Sequence, residues 1–277
     1  MKRLLIILMV LSVAACQAAK TPVTQELLVV EGWIEDGGAP YIYITTSFTP
    51  SAAASATSSI SDHVLTSARV TISDGEREEA LIGLASNRFF PPFVYTTGHM
   101  RGVAGKTYTL TIDADKYHAT ATTTIPPSRE LESLSVIPYG DAAGEHLLEA
   151  RFRNMPADDL CYMGFVKIEK TDSTYVPAEM SLTDGALAGE DVSITVRPGR
   201  SVAREEIRNS FRSGERVLVK FRTMDRGMHG VWKQISEQHG LSAVPFFVMD
   251  QNLSGNIQGA QGYFAGYGCT NYSVAIP

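Results

Sequence analysis

Six histidines stand at His63, His99, His118, His146, His229 and His239. None belongs to a His-Glu-x-x-His pair or another turn-spaced couple that would hold a metal. His229 and His239 lie too far apart in sequence for one site on neighbouring helical turns. No Gly-x-Ser-x-Gly elbow offers a serine nucleophile. The stretch Gly259–Gly268 is glycine-rich but lacks the Lys-Ser/Thr ending of a phosphate loop. Asp113 with Asp115, and Asp158 with Asp159, could meet calcium together with backbone carbonyls, although solvated turn acids explain them as well. A glycosidase needs two carboxylates at a set separation in a cleft, which a sequence does not display. These residues therefore predict no catalytic constellation, no cofactor and no metal. The expectation is a non-enzymatic protein.

Aromatic residues carry the strongest binding signal. Asn87–Tyr95 (NRFFPPFVY) places Phe89, Phe90, Phe93 and Tyr95 around Pro91-Pro92. Two prolines interrupt a central strand, and the resulting loop could present an aromatic platform to a ligand or partner. The competing reading is that alternate aromatics plug a core.

The N-terminus reads as an address. Lys2 and Arg3 precede an apolar run, Leu4–Leu11, too short for a bilayer span of about 20 residues. Ser12-Val13-Ala14-Ala15-Cys16 follows, and small residues before a cysteine resemble the bacterial lipobox. That resemblance implies a signal peptide over residues 1–15, a diacylglyceryl thioether on Cys16 and an acylated new N-terminus, followed by a tether over 16–26. Two or more acyl chains hold a protein durably to a membrane. The expected location is the outer membrane, with the face left open. In that oxidising compartment Cys161 and Cys269 form a candidate disulfide; two buried thiols are the alternative.

The chain has 277 residues, 44% of them apolar and 19% charged, which excludes a wholly disordered protein. Its formal net charge is −6, and no basic cluster is present. Nucleic acid is therefore not an expected partner. Cleavage before Cys16 removes two bases and no acid, so the remainder is more acidic still.

The elements that must position these residues are strands. Leu27–Ile34 is apolar, and Tyr41–Thr46 alternates Tyr41 and Tyr43 with Ile42 and Ile44, the period of a strand. Asp36-Gly37-Gly38 marks the hairpin between them. Arg69–Ser73 runs into Asp74-Gly75, with Leu81–Leu84 as the expected return strand. Thr107–Ile112 and Tyr117–Ile125 follow, ending at Pro126-Pro127, the best linker candidate. Ser51–Ser61 is small, polar and without period, and reads as a loop. Further strands are expected at Leu131–Ile137, His146–Phe152, Tyr162–Lys170, Val192–Val196 and Val217–Phe221. Val231, Ile235 and Gln238 fall at helical spacing, which predicts one short helix near 227–240 capped by Gly240. Asn256–Ile276 mixes glycine with Tyr263, Phe264 and Tyr267, as in closely packed strands. The fold class is mainly β: an immunoglobulin- or transthyretin-like β-sandwich over 27–126, then a second β-rich domain over 127–277.

Several blocks carry a family resemblance: LVVEGWI at 28–34, ARVTISDG at 68–75, GKTYTLTI at 105–112, ATTTIP at 121–126 and GNIQGAQGYFAGY at 255–267. In this order behind a lipobox they resemble the Bacteroidota lipoproteins gathered as domain-of-unknown-function family 4249. Members usually carry a doubled glycine where this chain has Gly259-Ala260-Gln261-Gly262. The resemblance covers nearly all of the chain after the signal peptide. It implies a lipid-anchored outer-membrane protein often encoded near TonB-dependent receptors, and it implies no established activity. The expected role is an accessory or binding module associated with TonB-dependent uptake. The alternatives are a structural or adhesive surface protein and, less favoured, an envelope glycan or peptide hydrolase. Asp172-Ser173-Thr174 resembles the O-glycosylation acceptor used in Bacteroidota, which makes Ser173 a candidate; a plain turn is the other reading.

Overall fold

A computed structural model describes residues 26–47, 61–154, 159–178, 183–184, 191–199, 208–239, 253 and 255–277. The expected signal peptide, Cys16, the expected tether up to residue 25, residues 51–60 of the expected loop, Asp158 and Gly240 lie outside the described residues.

In chain order the strands are β1 Leu28–Glu35, β2 Tyr41–Thr46, β3 Arg69–Ser73, β4 Glu78–Ala80, β5 Ile82–Ala85, β6 Phe93–Thr96, β7 Thr107–Ala114, β8 Tyr117–Thr124 and β9 Ser133–Pro138. They continue as β10 Glu145–Arg153, β11 Cys161–Ile168, β12 Val176–Pro177, β13 Thr183–Asp184, β14 Asp191–Val196, β15 Phe211–Arg212 and β16 Arg216–Met224. Helix α1, Arg226–His239, precedes β17 Ile257–Gln258 and β18 Gln261–Ala275. The protein is mainly β, as its alternating segments predict. The helix falls where Val231 and Ile235 place it. Its N-terminus is capped by Asp225, whose Oδ1 accepts the Met228 N–H at 2.7 Å.

One long sheet organises the molecule. Nine strands join in the order β12-β11-β16-β18-β1-β2-β6-β5, with β13 also on β11. β18 is 15 residues long and works over its whole length. Its first half pairs in parallel with β1, from Val29↔Gln261 to Glu35↔Tyr267. Its second half pairs antiparallel with β16, from Thr223↔Gly268 to Arg216↔Ala275. The expected boundary at Pro126-Pro127 is where the chain crosses from one half to the other, and the sheet runs through it. The crossing is anchored: Thr223 Oγ1 donates to the Pro127 carbonyl at 2.7 Å.

Two smaller sheets cover one face of the long sheet. The first, β17-β8-β7-β3-β4, encloses a core of Val30, Ile34, Ile42, Ile44, Ile72, Tyr108, Leu110, Ile112 and Phe264. The second, β14-β10-β15 with β9 on β10, encloses Leu148, Phe152, Tyr162, Val166, Phe211, Val219 and Phe221. Each core is lined by every second residue of its strands, the consequence of side chains alternating across a pleated sheet. Phe264 lies in the first core, so that core contains a side chain from the last strand of the chain.

The return strand expected at Leu81–Leu84 lies earlier, at Glu78–Ala80, and the expected segment joins the other sheet. β4 pairs back on β3, Leu81 is buried, and β5 then leaves for the long sheet and pairs with β6. Leu81 contributes its side chain to the first core, and the chain changes sheet at that point. β6 itself was not among the expected strands: it starts just after Pro91-Pro92, so the prolines precede the ladder rather than break it.

Candidate functional site

The opposite face of the long sheet carries charge among aromatics. β1, β2, β16 and β18 each send alternate residues to this side. Register sets the rows: Glu31 lies opposite Tyr43 and Tyr263, and Trp33 opposite Tyr41 and Ala265. Glu35 lies beside Tyr267, Arg222 beside Cys269 and Lys220 beside Asn271. β18 runs between β1 and β16, so Glu35 from one side and Lys220 and Arg222 from the other meet over it. Glu35 Oε2 accepts Arg222 Nη2 at 2.8 Å, and Glu35 Oε1 pairs with Lys220 Nζ.

The aromatic rings form the walls. The Arg222 guanidinium sits 4.3 Å from the Phe165 ring centroid and 4.6 Å from that of Tyr267, while Trp33 is 5.8 Å away. Lys220 Nζ lies 4.9 Å over Tyr175. Such contacts stabilise a cation that has been drawn out of water. Trp33 and Tyr41 stack at 5.7 Å with 26° between their planes, and both are half-buried. Part of the same face is covered by α1, whose Met228, Val231, Trp232 and Ile235 pack on Val29, Phe165, Tyr263 and Tyr267. Trp232 Nε1 donates to the Tyr267 hydroxyl at 2.8 Å.

Two glutamates of one strand titrate in opposite directions. Burial pushes Glu31 up to about 7, against the opposing hydrogen bond that it accepts from Tyr263 at 2.8 Å. Burial pushes Glu35 the same way, but the charges of Arg222 and then Lys220 outweigh it and bring it down to about 2. Burial, then Glu35, raises the Cys269 thiol. Four residues of strand separate the two glutamates by roughly 13 Å at about 3.3 Å per residue, with Trp33 between them. That exceeds the separation of a paired-carboxylate hydrolase, roughly 5–9.5 Å.

The expected site residues divide between this face and the core. Phe89 reaches it, with ring centroids 6.1 Å from Tyr41 and 6.4 Å from Tyr43, and Phe90 packs beside it. Phe93 and Tyr95 do not. Tyr95 is 2% exposed, donates to the Leu65 carbonyl and accepts the Ala68 N–H. Phe93 packs on the first core, 5.3 Å from Tyr95. Tyr95 therefore belongs to the core and not to this face, and Phe93 stands half-buried on the same side of β6. No disulfide joins Cys161 and Cys269. They lie on β11 and β18, which β16 separates, and Cys161 is fully buried beside Met224.

Ser173 is exposed in the turn between β11 and β12, while Asp172 is buried and accepts the Ile168 N–H at 2.7 Å. Asp113 pairs with His118 Nδ1 at 2.7 Å across the β7–β8 hairpin. Asp115 is a turn residue with φ of 49°, and Asp159 pairs with Arg226. Among the described residues no group of three or more His, Cys, Asp or Glu could hold a metal ion, and no helix is long and apolar enough to cross a membrane.

Glu31, Glu35, Lys220 and Arg222 escaped the sequence reading. Their signal is visible afterwards: charges at period two inside otherwise apolar strands, LVVEGWIE and RVLVKFRTM. Only the order of the strands reveals that they converge.

A search of curated proteins returned no match. The profile described as Domain of unknown function (DUF4249) matches residues 17–273, which takes in β1 and nearly all of β18. With that span matched, and with the blocks that build β1, β3, β7, β8 and β18 in order, the chain belongs to the domain-of-unknown-function family 4249.

Proposed function

We propose that the protein is a lipid-anchored, non-enzymatic binding module of the outer membrane, an accessory to TonB-dependent uptake. Cys16 carries the lipid, and the half-buried aromatic part of this sheet face carries the contact. The observation that supports binding most is the half-buried Trp33–Tyr41 stack, flanked by Phe89 and set beside the Glu35–Lys220–Arg222 cluster. Flat rings beside a few placed charges are the usual make-up of a recognition surface. The wide spacing of Glu31 and Glu35 argues against hydrolysis by that pair.

A C-terminal tag on the chromosomal copy, gentle detergent extraction and mass spectrometry test the reading. A stoichiometric β-barrel transporter in the eluate is the expected result. The tagged chain emerging alone would remove the accessory role and leave adhesion as the better account. Intact mass of the native protein tests Ser173: a mass equal to the lipidated chain alone rules out a glycan there.

A further inference from the structure

We infer that the charged centre of this face reads an anion, and that its ligand is an acidic saccharide of the uronic-acid type. The inference rests on the binding-module reading above and names its ligand class. Glu35 is one carboxylate engaged by two cations, one on each oxygen. The cluster therefore keeps one positive charge in excess, within a chain of net charge −6. The Lys220 side chain is 17% exposed and that of Arg222 7%. Arg222 Nε is buried without a hydrogen-bond partner. A guanidinium presents its N–H donors in a fixed fork that suits a carboxylate.

The rings define what the carboxylate is attached to. Trp33 and Tyr175 are half-buried and border the cations, and Tyr41, also half-buried, stacks on Trp33. A sugar ring can lay its apolar C–H face on such a surface, with its carboxylate turned to Lys220, the more exposed of the two cations. A peptide that binds by extending a sheet needs a free strand edge. Here β16, β18, β1 and β2 are interior strands with neighbours on both sides. This face offers rings and charge but no strand edge, which favours a saccharide.

Isothermal titration of the full-length protein in detergent tests this with trigalacturonate, maltotriose and triglutamate as probes. The expected result is saturable binding of trigalacturonate that weakens with salt, at least tenfold tighter than maltotriose or triglutamate. Lys220→Gln should weaken it about tenfold and Lys220→Arg should retain most of it. In a Trp232→Phe variant the only remaining tryptophan is Trp33, and its emission should shift on binding. Equal affinity for maltotriose, preference for triglutamate, or no trigalacturonate binding at millimolar concentration overturns the inference. The transporter pull-down is done without added saccharide, so the two readings fail separately. A recovered transporter with no trigalacturonate binding overturns this inference alone. Binding without a transporter sustains it and removes the accessory role.

Discussion

Glu31 and Glu35 share a residue type, a strand and a face, yet their environments part them. Glu35 is held near 2 against an ordinary 4.5, so it contributes stability above about pH 4.5 that is lost as pH falls toward 2. Glu31 keeps its proton up to about 7 when folded, whereas the unfolded chain releases it near 4.5. Its contribution is full below that value and lost as pH rises toward 7, by up to roughly 3 kcal/mol at about 1.4 kcal/mol per pH unit. Urea unfolding across pH 4–8 should therefore show stability falling as pH rises, and Glu31→Gln should flatten that slope. An unchanged slope in the variant would place the titration elsewhere. Arg222→Met should cost about 3–5 kcal/mol, because it leaves a buried carboxylate undercompensated. Adding Glu35→Gln should recover part of the loss, which a double-mutant cycle measures.

β18 is the element on which the rest depends, and its glycines show why. A Cβ at Gly266 would stand 2.6 Å from the Thr124 carbonyl oxygen and 2.8 Å from its carbon. These are backbone atoms at the end of β8, so neither can rotate away. Gly266→Ala is expected to lower the thermal midpoint by several degrees, in keeping with a cost of about 1–3 kcal/mol for overpacking. The exposed end of Tyr117–Thr124 and the beginning of β18 should lose hydrogen-exchange protection together. Asn256 supports the same strand: its side-chain amide donates to the Phe264 carbonyl and accepts the Phe264 N–H, each at 2.9 Å. Helix α1 was readable in advance, since Val231 and Ile235 repeat at the helical period and the structure buries both. The edge strand β5 was not. Leu81 divides an apparently continuous segment between two sheets, a choice made by the core and not by local preference.

The whole molecule is closed by a pairing between its two ends. β1 begins at Leu28 and β18 ends at Ala275, and they lie side by side in parallel. A fragment of residues 26–130 would lack both the neighbour of β1 and the Phe264 side chain of its own core. It is expected to show no cooperative thermal transition, while the full chain unfolds in one step, followed by circular dichroism. A sharp transition in the fragment would establish an independent N-terminal domain. The sequence alone determined the strand-rich class, the positions of β1 to β3, β7 to β11, β14, β16 and β18, the helix and the family, because periodicity, turn residues and block order are local properties. Tertiary structure alone decided that β18 lies between β1 and β16, that Phe93 and Tyr95 turn inward while Phe89 turns out, and that Glu35 meets Lys220 and Arg222. Those outcomes depend on strand order and register between residues as much as 232 positions apart, which no local pattern encodes.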